Sequence, residues 1–251
     1  MPARFFIDAA PDRGRVRISG DLASHLARSL RMRVHDTLVA VDPSGTEHGV
    51  RLDSVSAGAV EGEVAWSRPV TGEPALRITL LQALPRERMD DCIDIAVQAG
   101  VAAIVPLFTE RTVSRPTAER ITARTRRWNA VSREAAQLAG RGTIPAVHEP
   151  LPLPDALDQL ATGTRLVACT IERDAAPLSS LDIDSTAPLA LCIGPEGGLG
   201  STDLVTLDEH AAEWAHLGAR VLRTRYAGAL ATALLLSGSG DLARAATAEP
   251  W

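Results

Sequence analysis

The sequence predicts a small β-rich unit followed by a larger α/β unit built on a mostly parallel sheet. Three observations carry this. The chain has 251 residues, which at about 150 residues per domain is about 1.7 domains. Before residue 70 the pattern is one of short strands separated by turn residues, whereas from Leu76 onward strands alternate with longer helices. The strands of this second part are near-continuously apolar, as in a sheet covered on both faces.

In the first part, segments 4–7, 15–19, 38–42, 49–55 and 59–66 are rich in Val, Leu and aromatic residues. Turn runs separate them, notably Pro11-Asp12-Arg13-Gly14, Asp42-Pro43-Ser44-Gly45 and Ser56-Ala57-Gly58. One helix is expected from about Gly20 to Arg31, which makes a small β-barrel with one helix. Pro69–Pro74, with Gly72 inside it, reads as the linker, so domains are expected at 1–70 and 74–251. Beyond it, Leu76–Leu84 is an apolar strand. A helix near Arg86–Ala99 places Met89, Ile93, Ala96 and Val97 on one face. Val101–Leu107 is the next strand, Ala118–Leu138 a long helix and Ile144–Val147 a short strand. Leu153–Leu160, Arg165–Ile171, Pro188–Ile193, Ser201–Trp214, Arg220–Leu222 and Gly228–Leu236 continue the alternation, with the strand expected at Arg220–Leu222 leading into an Ala-rich helix.

Composition narrows the function classes. Hydrophobic residues make up 45% and charged residues 23% of the chain, which excludes a disordered or fibrous protein. The basic residues are all Arg, and 26 of them against 31 acids leave a net charge of −5. That argues against indiscriminate coating of nucleic acid, but the charge is unevenly placed. Between Arg111 and Arg141, eight arginines face two glutamates, a local net of +6. Between Glu149 and Glu213, twelve acids face two arginines, a local net of −10. Residues 1–36 are basic as well, with seven Arg against four Asp. The +6 stretch reads either as a solvated helix face or as a footprint for a phosphate backbone. Cys169 and Cys192 sit in apolar runs and Cys92 on a helix, so all three read as buried small hydrophobes. The six histidines lie in no metal-ligand pattern, and no metal is expected. No run approaches the ~18 apolar residues of a membrane span, and the N-terminus lacks a signal peptide's apolar region, so a cytoplasmic protein is expected.

The most informative run is Ile193-Gly194-Pro195-Glu196-Gly197-Gly198-Leu199-Gly200-Ser201, placed after a strand and before a helix. Ser201 or Thr202 is a candidate cap, with Asp203 or Asp208 near the positive helix end. Neither the dinucleotide fingerprint nor a P-loop is present. By spacing alone the run is a structural turn or a ligand loop. A second candidate loop is His216–Ala227, in which Arg223 would follow directly on the expected strand, at the carboxyl end where open α/β sheets bind ligands.

With these residues in place, the chain resembles the RsmE-type 16S ribosomal RNA (uracil-N3)-methyltransferases of the SPOUT class. The resemblance runs through Arg4-Phe5-Phe6, His25-Leu26 to Leu30-Arg31, Gln82-Ala83-Leu84, Arg88-Met89, Ile104-Val105-Pro106 and Thr109-Glu110-Arg111. It continues through Arg127-Trp128, Glu134-Ala135-Ala136, Arg141, Ile193 to Gly198, Leu217-Gly218 and Leu222-Arg223-Thr224. It implies a PUA-like RNA-binding barrel ahead of an α/β methyltransferase domain with a C-terminal deep trefoil knot. It also implies S-adenosyl-L-methionine as cofactor, a homodimer, and 16S rRNA within the small ribosomal subunit as substrate. The chain departs from the family's usual pattern at Pro85 or Arg86, near Thr112, at Gln137-Leu138 and at Leu199-Gly200. The most conspicuous departure is Arg225-Tyr226, where relatives usually carry Glu-Thr.

The site residues implied follow the matched motifs. Leu81 and Leu84, then Gly194, Pro195, Glu196, Gly197 and Gly198, then Leu217, Gly218, Leu222 and Arg223 are expected at the cofactor. Arg223 is expected to stabilise negative charge developing on uracil, with Arg111 or Arg225 assisting. Glu196 is expected either to accept the N3 proton or to cap the next helix. Arg4, Arg28, Arg31, Arg111, Arg115, Arg127, Arg141 and Arg225 are expected to meet RNA. Two other readings stay open: a related enzyme with another RNA target, and a ribosome-assembly factor with little catalysis.

Overall fold

The computed structural model describes residues 3–113 and 115–245. The chain divides into two compact units. One holds the residues up to Glu73 together with Ala136–Thr143, and the other holds Pro74–Ala135 and Ile144–Ala245.

The first unit is a curled five-stranded sheet. Its strands β1 (Ala3–Phe6), β2 (Arg15–Ser19), β3 (Thr37–Val41), β4 (Thr46–Val55) and β5 (Ala59–Pro69) lie in the order β1-β3-β4-β5-β2. β1 pairs with β3 in parallel and the other pairs are antiparallel. Alternation in the sequence sets the faces: in Arg15-Val16-Arg17-Ile18-Ser19 only Val16 and Ile18 are buried. They join Phe5, Ile7, Leu26, Leu38, Val50, Leu52 and Val60 in one core. Register shifts at Gly49/Val50 and Leu52/Ser54 bend the long β4–β5 pair. Gly49 is required there, because a Cβ would lie 2.1 Å from the Trp66 indole nitrogen. The expected helix is shorter than its sequence range. Helix α1 (Gly20–Ser24) continues as a π-helical turn at His25–Ser29 and stops, with Arg31 at φ 54 in the left-handed region.

Two polar devices stabilise this unit. The Asp42 carboxylate accepts hydrogen bonds from the Ser44 and Thr46 amides and faces His48 Nε2 at 3.2 Å, fixing the β3–β4 turn. Burial opposes the ionisation of Asp42, but its hydrogen bonds from Ser44, His48 and Thr46 prevail and hold the carboxyl below its ordinary value. Arg141, expected at the RNA, is instead 3% exposed and grips Glu73, with Nη2 2.7 Å from Oε2 and Nε 3.2 Å from Oε1. Glu73 also accepts the Gly142 and Thr143 amides. The guanidinium is too far out of solvent to reach a phosphate, which corrects that expectation.

The second unit is an all-parallel sheet. Strands β6 (Ile78–Ala83), β7 (Ala103–Phe108), β8 (Ala146–Val147), β9 (Leu151–Pro152), β10 (Arg165–Cys169), β11 (Ala176–Pro177), β12 (Leu189–Ile193) and β13 (Glu213–His216) form it. The order is β11-β13-β10-β12-β6-β7-β8, with β9 beside β7. All five residues of central β12 are buried, as expected for a strand covered on both faces. The helices are α2 (Met89–Ala99), α3 (Ala118–Leu138), α4 (Leu153–Asp158), α5 (Ser201–Glu209) and α6 (Thr224–Gly238). Helix α6 packs on α2 and on β12 and β6. Gly228 permits this approach, since a Cβ there would sit 2.8 Å from Gln82 Oε1.

One strand differs from expectation. Residues 220–222 are loop, Val221 is 79% exposed, and the strand is Glu213–His216, where Ala215 is buried and β10 supplies the parallel partner. The expected helix Ser201–Trp214 ends at Glu209, before Ala211 turns to φ 52.

Candidate active site

Strands β13, β10 and β12 are parallel neighbours, so their carboxyl ends open on the same side. The loops leaving them, Cys169–Glu172, Ile193–Leu199 and Leu217–Thr224, enclose a cavity of about 410 Å³, with Ala227 of α6 completing the wall. The walls are largely backbone and apolar side chains.

The glycine loop is held from outside. Arg111 Nη1 donates to the Gly197 carbonyl at 2.7 Å and to Glu172 Oε1 at 3.1 Å, clasping two loops together. Gly198 adopts φ 73, its amide closes a turn onto the Pro195 carbonyl at 2.9 Å, and a Cβ would lie 2.6 Å from Glu172 Oε1. Where the loop enters α5, the Asp203 carboxylate accepts the Gly200 amide at 2.8 Å and the Glu110 amide at 3.1 Å. Glu110 returns the contact by accepting the Thr202 amide at 2.8 Å, a bond that draws its carboxyl below the ordinary value. Asp203 therefore caps α5, and Glu196 does not.

Glu196 faces another way, with its carboxylate accepting the Arg86 amide at 3.2 and 3.3 Å. It also lines a second hollow of about 430 Å³ with Arg86, Glu87, Arg88, Arg223 and Arg225. Glu196 and Arg223 thus border both spaces. Arg223 is exposed and stands at the N-terminus of α6.

Of the residues expected at the cofactor, Gly194 through Gly198, Leu217, Gly218, Leu222 and Arg223 line the 410 Å³ cavity. Leu81 and Leu84 do not. Leu81 is fully buried in the core with Leu107, Leu166 and Ala190, and Leu84 is 3% exposed. Their apolar side chains pack in the core. Among the expected RNA-facing residues, Arg28 and Arg31 are exposed. Arg4 is held by Glu47, Arg127 by Asp90, and Arg115 donates to the Thr109 carbonyl at 3.0 Å. Arg225 lies 3.8 Å from Asp91 and 4.6 Å from the centre of the Tyr226 ring.

Sequence reasoning missed Glu172, Arg86 and Arg88 at the site, and read Cys169 only as a buried hydrophobe. Cys169 reaches the cavity wall, although burial pushes its thiol up to about 12. Among the described residues, no group of three or more His, Cys, Asp or Glu side chains is arranged to hold a metal ion.

Comparison with known proteins fits this arrangement. An RNA methyltransferase domain model matches residues 72–236. The ribosomal RNA small subunit methyltransferase E of Mycobacterium tuberculosis is 32% identical over 237 residues, covering 90% of this chain and 88% of that protein. The protein of the same name from Bacillus subtilis is 25% identical over 219 residues, covering 84% and 85%. A crystal structure of ribosomal RNA small subunit methyltransferase E from Neisseria gonorrhoeae bound to S-adenosyl methionine superposes with a TM-score of 0.85. It is 27% identical and covers 94% of this chain and 98% of that one. With the glycine loop at the carboxyl ends of a parallel sheet and these relatives matched along nearly its whole length, the chain belongs to the RsmE family of SPOUT-class RNA methyltransferases.

Proposed function

We propose that the protein transfers a methyl group from S-adenosylmethionine to N3 of a uridine in the decoding region of 16S rRNA. The observation that carries this is the shared wall: a backbone-lined cavity and an arginine-lined hollow meet at Glu196 and Arg223. The 410 Å³ cavity is within the usual range for a small-molecule site. Its residues suit the cofactor, since Gly194, Gly197 and Gly198 leave backbone exposed and Ile193, Leu199, Leu217 and Leu222 supply apolar surface. When bound, the cofactor supplies a methyl group already activated on a sulfonium sulfur, so much of the rate comes from positioning.

The chain's own residues do the rest. Arg223 holds a permanent positive charge beside both spaces and stabilises the negative charge that develops on the uracil O2 and O4 oxygens. Glu196, held by the Arg86 amide, accepts the N3 proton on a carboxylate oxygen. Arg111 braces the glycine loop from behind.

The same reading gives the first unit the PUA-like role in RNA binding, with exposed Arg28 and Arg31 available to phosphate. It places a trefoil knot where the 217–223 loop leads α6 back onto β12 and β6. It pairs two copies through α6, whose Tyr226, Leu230 and Leu234 form an exposed apolar stripe at i, i+4 and i+8. A cytoplasmic location follows from a ribosomal substrate. The test is incubation with labelled cofactor and small subunits lacking the modification, followed by nucleoside analysis. 3-Methyluridine at the decoding-region position supports the reading, and its absence where a related enzyme succeeds overturns it.

A further inference from the structure

The 430 Å³ hollow contains more positive charge than chemistry at uracil requires. Four arginines, Arg86, Arg88, Arg223 and Arg225, face two acids, Glu87 and Glu196, a net of +2. Three arginines elsewhere are closely engaged: Arg141 with Glu73, Arg165 with Glu213 and Arg173 with Asp208 all make contacts of 2.7 Å. In the hollow, Asp91 approaches Arg88 at only 3.5 Å and Arg225 at 3.8 Å, and Arg86 and Arg223 form no ion pair among the described residues. Arg225 Nε is buried without a hydrogen-bond partner, a state that carries a desolvation cost unless a ligand meets it.

Helices α2 and α6 pack against each other, and both begin at this hollow, with Arg88 and Arg223 as their N-cap residues. Neither N-cap has a side-chain cap hydrogen bond; the first turn of α2 carries Asp90 and Asp91, and Arg225 is the first-turn residue of α6 that lines the hollow. Four guanidinium groups lining one hollow make an anion site, and planar forked donors match phosphate oxygens.

We propose that this hollow binds a phosphodiester of the RNA chain beside the target nucleoside, with Arg225 and Arg88 as its principal donors. The proposal rests on the reading of the substrate as RNA. Uracil enters beside Arg223, and the adjoining phosphate fixes the register of the strand.

The test is equilibrium binding of unmethylated small ribosomal subunits to the cofactor-free full chain, measured across a salt series. Arg225→Gln and Arg88→Gln are each expected to weaken binding about tenfold. Each should reduce the slope of log K against log salt by about 0.7–0.9. Arg225→Lys should retain most of the slope, and circular dichroism and melting temperature should stay at wild-type values. Calorimetric titration with inorganic pyrophosphate separates the phosphate sources. No heat at millimolar concentration supports the RNA backbone, and micromolar binding overturns it in favour of a free phosphate compound. Because the main readout is binding, absent methyl transfer would count against the proposed reaction and leave this result standing. Unchanged affinity and slope in both Gln variants, with wild-type transfer intact, overturns the phosphate site alone.

Discussion

Two adjoining hollows of nearly equal size, about 410 and 430 Å³, are built by opposite means. The first is walled by backbone at the ends of three parallel strands, where Gly198 holds φ 73, a conformation that side-chain-bearing residues rarely adopt. The second is walled by the charged ends of Arg86, Arg88, Arg223 and Arg225. A backbone wall recognises shape and is sensitive to a single added carbon. A guanidinium wall recognises charge and responds to salt.

Substitutions can break this contrast or sharpen it. The largest effect is expected at the shared wall. Arg223→Ala should lower the methyl-transfer rate by about 10²–10³, the usual consequence of losing one donor to developing negative charge. Turnover of a variant that melts like wild type checks it, and unchanged turnover removes Arg223 from the reaction.

Arg141→Ala is the control outside both hollows, expected to destabilise the first unit by about 2 kcal/mol. That is below the cost of breaking a fully buried pair, because Glu73 keeps 23% exposure. Denaturant unfolding measures it. The associated pH dependence has a definite sign. Burial disfavours the Glu73 carboxylate, but the hydrogen bond and charge of Arg141 prevail, so its folded pKa lies below its unfolded one. The stability it contributes is present above the unfolded value and is lost as pH falls through the folded value. Glu73→Gln should flatten that acid limb.

Gly198→Ala should raise the cofactor dissociation constant about tenfold, since left-handed backbone strain on the order of 1 kcal/mol adds to a smaller displacement of the Glu172 carboxylate. RNA affinity should be unaffected, and calorimetry with cofactor and a salt series with RNA would expose any crossover. Arg111→Ala should have the smallest effect, loosening cofactor binding about threefold, as expected for a half-exposed clasp. A loss of rate without loss of cofactor affinity would instead place Arg111 in the chemistry.

Local signals in the sequence read well. The short apolar segment at 15–19 between turn residues marked β2, and the long helix read at Ala118–Leu138 coincides with α3. The glycine run marked the cavity wall, and φ 73 at Gly198 favours the residue type itself. What could not be read depended on non-local pairing. Trp214 and Ala215 become strand only because β10 lies alongside, while the equally apolar Val221-Leu222 has no such partner and stays in the loop. Arg141 and Arg223 are indistinguishable as letters. One meets the partly buried Glu73 carboxylate 68 positions away and becomes structural, and the other forms no ion pair among the described residues and lines both hollows. The meeting of Arg86, Arg88 and Arg225 likewise needed the packing of α2 on α6.

The placement of Glu196 on the border of both hollows has a thermodynamic consequence. Its carboxylate adds negative potential to each compartment, so occupancy of one alters the field felt in the other. Such coupling is reciprocal by necessity: whatever factor the nucleic acid applies to cofactor affinity, the cofactor returns to the nucleic acid. A positively charged sulfonium and its neutral thioether product differ by one charge at that boundary. On the proposed function, methyl transfer removes that charge in the step that completes the reaction, so the grip on the two products would differ from the grip on the two substrates.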